Sequence, residues 1–369
     1  MKKILYIFDA SDWESRFAVA EKAKEQGYDV TLGLINADRE EKEFKTVKIG
    51  KNTKKIGILS SLSMVKDIKK AIKDENPDII HSITLKYSFL TGIAAFGFKN
   101  KAKIFTLAGL GYIFRDESAK SKNLRRALSL LLKAILKRKN TTLIFQNQDD
   151  LNLLVEGGYA KQDKSILIKG SGVYLDRFNV PHESTDQTPI VLMPTRLVKE
   201  KGVSVFIEAA KILKAQNIEA TFQIAGGTTT HNPRAITEQE MRAMLEGSGV
   251  EWLGRVSNMP EILARSALIV YPSYYGEGIP RVLLESCASG KAIITTDHPG
   301  CHEAVDHGKN GLLVPVKDAT ATADAIKKLL HDKALREEME RNSRAKAISE
   351  FNIHHIVRQT VDVYDIVLK

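Results

Sequence analysis

Short apolar runs rich in β-branched residues recur along the chain, separated by longer stretches in which apolar residues return every three or four positions. The short runs read as buried strands and the longer stretches as amphipathic helices; their alternation is the signature of βα units around a parallel sheet. In the first half the strand runs are Lys3–Phe8, Val30–Ile35, Ile79–Ile83, Ile104–Leu107, Leu143–Gln146 and Ile166–Lys169, with helical spacing between them, as at Ser15–Gln26 and Ser63–Asp74. The second half repeats the rhythm with Ile190–Pro194, Phe222–Ala225, Glu251–Leu253, Leu268–Tyr271, Ala292–Thr295 and Leu312–Pro315. The pattern predicts an α/β protein of two doubly wound, Rossmann-like domains.

The rhythm breaks in the polar stretch YLDRFNVPHESTDQTP, Tyr174–Pro189, which holds two prolines. The boundary is placed near Asn179, giving domains over 1–178 and 179–350. Helices carrying Leu329, Leu330, Leu335 and Met339 follow Asp318. The last segment, 351–369, has an apolar face on Ile353, Ile356, Val361, Tyr364 and Val367 and is expected to pack back on the first domain. At 369 residues, two globular units sharing a cleft are the natural expectation, and clefts between domains are common ligand sites.

Composition narrows the classes. A hydrophobic content of 43% with 27% charged residues suits a folded protein with a sizeable core rather than a disordered one. The formal net charge of +10 admits nucleic acid, an anionic membrane or a phosphorylated small molecule as partner. No groove-reading helix module or aromatic RNA motif accompanies it, so nucleic acid is not expected. The two cysteines, Cys287 and Cys301, argue against a disulfide framework and suit a reducing cytoplasm. Cys301 with His298 and His302 lacks metal-site spacing. MKKILYIF reads as a first strand rather than a secretory leader, since its apolar run stops at Asp9 with no small-residue cleavage site. No charge-free apolar run reaches the roughly 20 residues that a spanning helix needs.

Two stretches carry candidate chemistry. In VLMPTRLVKEKGVSVFIEAAKIL, Arg196 and Lys201 lie between a strand end and a helix start, where open α/β sheets bind ligands and helix N-termini favour anions. A diphosphate fits this position; two solvated loop charges are the bland alternative. YYGEGIPRVLLESCASGKAIITTD repeats the strand–loop–helix arrangement, with Pro280 at the first helical turn and the amides of Gly278, Ile279 and Arg281 free to face an anion. Glu277 and Glu285 flank that helix start. They could grip hydroxyls on two parts of one elongated ligand, act as a glycosidase acid–base pair, or simply face solvent. IAGGTTTHNP adds glycines at a strand end, whereas the full dinucleotide and P-loop fingerprints are absent, which disfavours NAD and ATP.

RLVKEKG, AGG, WLGRVSNMPEILARSALIVYPSYYGEGIPRVLLE, TTDHPGCHEAV and GKNGLLVPVKD together resemble the nucleotide-sugar domain of family-four retaining glycosyltransferases, which have the GT-B fold, two Rossmann-like domains facing across a cleft. In the first half LAGLGYIF, IFQNQDDLNLL and ILIKGSGVYLDRF resemble the capsule and N-glycan-pathway branch, whose members typically elongate a sugar on undecaprenyl diphosphate. This resemblance implies that Arg196 and Lys201 clamp the donor diphosphate, Glu277 binds donor-sugar hydroxyls and Glu285 accepts from the ribose. It also implies that Gly278, Ile279 and Arg281 hold phosphate and sugar and that Gly254, Arg255 and Val256 sit near the base; Gly226, Arg255 and Val256 are counted with the donor-binding residues. Gly109, Gly111, His81 and Arg125 become candidates for the acceptor side. Many relatives carry a histidine after the strand equivalent to Ile104–Leu107; here Leu107, Ala108 and Gly109 stand there, leaving a donor phosphate oxygen or His81 to take the acceptor's proton.

Arg115–Asn140 holds nine Lys or Arg against two acids, with Leu124, Leu128, Leu131, Leu132 and Ile135 at helical spacing. Such a basic amphipathic helix suits an anionic bilayer face, or a core helix with a solvated basic side. The expected protein is a cytoplasmic transferase, peripheral on the inner membrane. It needs no metal or cofactor and moves a sugar such as N-acetylgalactosamine from a UDP-sugar substrate to a polyprenyl-diphosphate-linked acceptor. A transferase with a soluble acceptor and a non-catalytic nucleotide-sugar binder are the rival expectations.

Overall fold

The computed structural model describes residues 1–10, 13–36, 41–50, 58–111, 114, 119–180, 188–228, 232 and 234–369. Parts of four stretches named above lie outside them: 112–113 of LAGLGYIF, the start of the basic helix at 115–118, 181–187 of the polar junction, and 229–231 and 233 of the glycine-rich strand end. The chain divides into two compact units. The first comprises Met1–Gly172, Gly276–Gly278 and Ile353–Lys369; the second comprises Val173–Tyr275 and Ile279–Asn352. The second unit thus begins at Val173, ahead of the boundary expected near Asn179. There Val173 N–H donates to the Phe351 carbonyl at 2.9 Å, and Phe178 packs into a core with Leu283 and Leu284.

The first unit is built on a seven-stranded parallel sheet in the order β3-β2-β1-β4-β5-β6-β7. Its strands are β1 Lys3–Asp9, β2 Asp29–Ile35, β3 Lys45–Ile49, β4 Ile79–Ile83, β5 Ala102–Leu107, β6 Thr141–Phe145 and β7 Ser165–Leu167. The interior strands read as near-continuous apolar runs because helices cover both faces of the sheet. Leu5 and Ile7 of β1 pack with Ile68, Ile72 and Leu90 of the Ile58–Glu75 and Leu85–Ala94 helices. On the alternate positions, Tyr6 lies against His81, which in turn meets Tyr364 of the Ile353–Leu368 helix. That last helix, expected to return to the first domain, is held there by this contact and by a Tyr28–Asp365 hydrogen bond. β3, KTVKI, has no counterpart among the sequence runs. It is an edge strand exposing its lysines, the charge pattern that blunts sheet edges, so its composition hides it.

The second unit has a six-stranded parallel sheet in the order β10-β9-β8-β11-β12-β13. Its strands are β8 Ile190–Pro194, β9 Thr221–Ala225, β10 Val250–Gly254, β11 Leu268–Tyr271, β12 Ala292–Thr296 and β13 Gly311–Val314. Strand alternation splits its core in two: Val191 and Met193 join the Val203–Ala215 and Ala319–His331 helices on one face, while Leu192, Ile269 and Ile293 join the Arg281–Ala288 helix on the other. In both sheets the connections reverse direction beside the central strand, between β1 and β4 and between β8 and β11. The carboxyl ends at such switch points are where open α/β sheets bind ligands.

Candidate functional site

The switch point of the second unit carries the cationic pair. β8 ends at Pro194, and the chain passes Arg196 and the Lys199–Lys201 turn before Gly202 starts the Val203–Ala215 helix. Gly202 has φ +82°, and a Cβ there would run into the Pro272 carbonyl, so the tight approach of this turn to β11 needs glycine. Lys201 is only 3% exposed. Its ammonium donates to the Tyr271 hydroxyl at 2.6 Å and lies 5.2 Å and 4.8 Å from the ring centres of Tyr271 and Tyr275. A buried ammonium is costly unless partnered, and π faces and a hydroxyl offset part of that cost. Arg196 is exposed at the same strand end.

The Arg281–Ala288 helix follows β11. Pro280 is its N-cap rather than its first helical residue, so the first-turn N–H groups begin at Arg281. Arg281 Nε donates to Glu285 Oε1 at 2.8 Å, one helical turn apart, and Glu285 is 15% exposed against 43% for Arg281. The guanidinium thereby fixes the orientation of the carboxylate, a pairing signalled in the sequence by the spacing of four residues. Ile279 is buried in the core with Leu283, so its side chain anchors the loop. At the strand end after β9, a Cβ on Gly227 would touch the Arg255 side chain, which places Arg255 beside the glycine pair. Gly226 spends its N–H on the Gly254 carbonyl at 2.7 Å, and its own carbonyl accepts from Trp252 Nε1 at 2.8 Å. A Cβ there would run into the Thr195 carbonyl, so glycine is required by the close approach of the chain after β8 to the end of β9. Val256 packs against the core with its side chain half-buried.

Within the first unit as delimited, Glu277 and Gly278 lie against the loop after β5. A Cβ at Gly109, where φ is +94°, would sit 2.5 Å from the Glu277 carbonyl carbon, and Gly111 N–H donates to the Gly276 carbonyl at 3.1 Å. Gly109, Gly111, Glu277 and Gly278 are therefore neighbours. Buried Gln146 packs on Gly278 and donates to the Gly170 carbonyl at 3.2 Å; its position at the end of β6 is the only sequence signal for it.

Two acceptor candidates change character. His81 is the third residue of β4, not its end, and is completely buried, with Nδ1 2.8 Å from the Tyr364 hydroxyl and Nε2 2.8 Å from Thr106 Oγ1. Burial, helped by the charge of Arg16, pushes its pKa down to about 3. It is a neutral structural bridge, which removes it from the acceptor-binding set and as a base. Arg125 donates to the Phe114 carbonyl at 3.1 Å and so serves local structure.

The basic helix, Ala119–Leu136, buries only part of its expected apolar face. Leu132, Ile135 and Leu136 are buried in the core, whereas Leu124, Leu130 and Leu131 are 39%, 83% and 41% exposed. Lys133 and Arg138 lie over the rings of Tyr159 and Phe96, while Arg126, Lys137 and Lys139 are exposed. Among the described residues no helix is long and apolar enough to cross a membrane. His302 pairs with Asp297 and the Cys301 thiol is buried on the Ser273 carbonyl, so these residues serve local structure. Among the described residues no cluster of three His, Cys, Asp or Glu could hold a metal ion.

Residues 176–346 match the family described as glycosyl transferases group 1, and residues 3–147 match the glycosyl transferase 4-like family. The chain is 31% identical to the N,N'-diacetylbacillosaminyl-diphospho-undecaprenol alpha-1,3-N-acetylgalactosaminyltransferase of Campylobacter jejuni, over 82% of this chain and 80% of that one. It is 27% identical to the UDP-Gal:alpha-D-GlcNAc-diphosphoundecaprenol alpha-1,3-galactosyltransferase of Escherichia coli, over 82% and 81%. Its fold is shared with sucrose-phosphate synthase from Thermosynechococcus elongatus, with a TM-score of 0.81 at 20% identity over 100% and 99% of the two chains. With two Rossmann-like units, Arg196 and Lys201 at the switch point of the second of them and family matches along both halves, the chain belongs to the group 1 glycosyl transferases of GT-B architecture.

Proposed function

We propose that this protein transfers an N-acetylhexosamine, such as N-acetylgalactosamine, from a UDP-sugar to an undecaprenyl-diphosphate-linked saccharide, with retention of anomeric configuration and without a metal ion. The observation that carries the reading is the buried Lys201, held by Tyr271 and Tyr275 where the second sheet switches direction. As the bond from the sugar's C1 to phosphate breaks, negative charge grows on the leaving diphosphate. A fixed ammonium in a low-dielectric pocket, with Arg196 and the N-terminus of the Arg281–Ala288 helix, stabilises that charge more than it stabilises the ground state. Glu285, oriented by Arg281, is the ribose acceptor, and Glu277 binds the donor sugar. A donor phosphate oxygen takes the acceptor's proton, since His81 is enclosed. The acceptor class follows the names of the two relatives. Leu124, Leu130 and Leu131 beside Arg126 and Lys137 suit docking on an anionic cytoplasmic membrane face.

The test is a transfer assay with UDP-N-acetylgalactosamine and a synthetic undecaprenyl-diphosphate saccharide, reading product configuration by NMR and repeating it with excess chelator. An α-linked product formed at an unchanged rate with chelator is expected. Absence of transfer, an inverted product or loss of rate on chelation overturns the corresponding part of the reading.

A further inference from the structure

The first unit contains a cavity of about 300 Å³ that reaches the acceptor-side candidates Gly109 and Gly111. Its walls are Leu85 and Phe89 from the Leu85–Ala94 helix, Leu110 from the loop after β5, and Leu128 and Leu132 from the Ala119–Leu136 helix. Leu85, Leu110 and Leu132 are buried, whereas Phe89 and Leu128 are only partly buried and form its lip. Small-molecule pockets typically span about 300–1,000 Å³, so this one accepts a short apolar segment rather than a whole lipid chain.

Three polar features adjoin those walls. Gly109 and Gly111, neighbours of Glu277, line the cavity, so an occupant reaches the backbone where the sugar chemistry is assigned. Thr84 lines it with φ +74° and ψ 151°, a conformation costly for a residue with a Cβ. Its N–H on the Thr106 carbonyl at 2.8 Å and its carbonyl on the Ser88 N–H at 2.9 Å hold it there. Lys86 also lines the cavity, its ammonium 5.3 Å from the centre of the Tyr87 ring. Burial lowers the pKa of Lys86 and the carboxylate of Asp9 acts in the opposite direction. A partly desolvated ammonium beside an apolar trough selects a ligand that is apolar along its length and anionic at one end.

We propose that this groove receives the isoprene units adjoining the diphosphate of the lipid-linked acceptor, with Lys86 pairing with the phosphates. The inference rests on the acceptor class proposed above and adds the subsite that reads it. The same helix that supplies Leu128 and Leu132 to the groove exposes Leu124 and Leu131 at the edge of that apolar face.

The test is calorimetric titration of the full chain, with the donor site saturated by UDP, using farnesyl diphosphate and inorganic diphosphate as probes. Farnesyl diphosphate is expected to bind at least about tenfold tighter than inorganic diphosphate. Leu128→Trp, which fills the lip, removes that preference, and Lys86→Gln weakens both probes. Thermal unfolding checks that each variant folds, and the polar substitution at Lys86 stands in if the tryptophan destabilises the helix. Equal binding of the two probes to the wild type, or unchanged binding in both folded variants, overturns the proposal. Transfer without this binding rejects the groove and keeps the function; binding without transfer does the reverse.

Discussion

The two units share a strand order through their first six strands, yet the loops after their central strands carry opposite charge. β8 leads to Arg196 and the enclosed Lys201, whereas β1 ends at Asp9, whose Oδ2 accepts from the Tyr87 hydroxyl at 2.9 Å and from Asn36 Nδ2 at 2.8 Å. The first position gathers cations, whereas at the second the Asp9 carboxylate is engaged by Tyr87 and Asn36 and lies close enough to act on the Lys86 ammonium. The same topology thus offers the same crevice twice, and loop side chains decide what each accepts. Buried polar groups differ likewise: the Lys201 ammonium sits at a strand-end loop between Tyr271 and Tyr275, while His81 is satisfied deep inside the protein by Tyr364 and Thr106.

The largest expected effect separates the two switch points. Lys201→Ala is expected to lower kcat/KM for transfer by about 10²- to 10³-fold, the range for losing one preorganised charge-stabilising donor. Asp9→Asn should leave UDP affinity within about threefold, since its carboxylate faces the other crevice. Steady-state kinetics with UDP titration checks both, and comparable losses would break the contrast.

The next concerns the structural histidine. With its folded pKa near 3, His81 stays neutral in the native state while the unfolded chain protonates it below about pH 6.5. The unfolded state then binds more protons, so the contribution of His81 is complete above pH 6.5 and declines as the medium is acidified towards pH 3. This amounts to about 2 kcal/mol lost between pH 7 and 5. Denaturant unfolding should show that loss in the wild type and not in His81→Gln, whose activity per folded molecule at pH 7 stays within about threefold. A variant that keeps the pH slope but loses transfer would return His81 to the site.

A smaller effect tests how the buried cation is held. Tyr271→Phe keeps the ring but removes the hydroxyl that accepts the Lys201 hydrogen bond, and should raise KM for the UDP-sugar about tenfold with a lesser change in kcat. If kcat falls with KM unchanged, the hydroxyl acts on the transition state rather than in placing Lys201. The smallest belongs to the half-exposed pair: Arg281→Ala should raise KM for the UDP-sugar about two- to threefold, because exposed helix pairs contribute only about 0.3–0.5 kcal/mol. A loss above tenfold would mean that Arg281 itself holds phosphate.

Local arrangements were easiest to read. Arg196 with Lys201, and Glu277 with Glu285, each lie on one strand–loop–helix passage, so their placement follows from a few residues of backbone geometry. The Lys201–Tyr271 bond joins positions 70 residues apart, and His81–Tyr364 joins positions 283 apart. Nothing nearby in the chain announces either. A histidine in an apolar strand looks like a site until its partner helix is in place. The basic helix misled for a related reason: spacing identifies an apolar face but not whether core or solvent meets it, and here Leu132 and Leu131, adjacent in sequence, have opposite fates.

What the sequence by itself determined is the alternation of buried strands and covering helices, the two-unit plan, and the cations and carboxylates at strand ends, because each follows from side-chain period or from residues a few positions apart. Tertiary structure alone decided that Val173 opens the second unit, that Lys201 is gripped by two tyrosines, that His81 is a strut, and that five apolar side chains from three elements enclose a groove beside Gly109. Those outcomes depend on which strand ends and helix faces are brought together, and packing across long stretches of chain sets that.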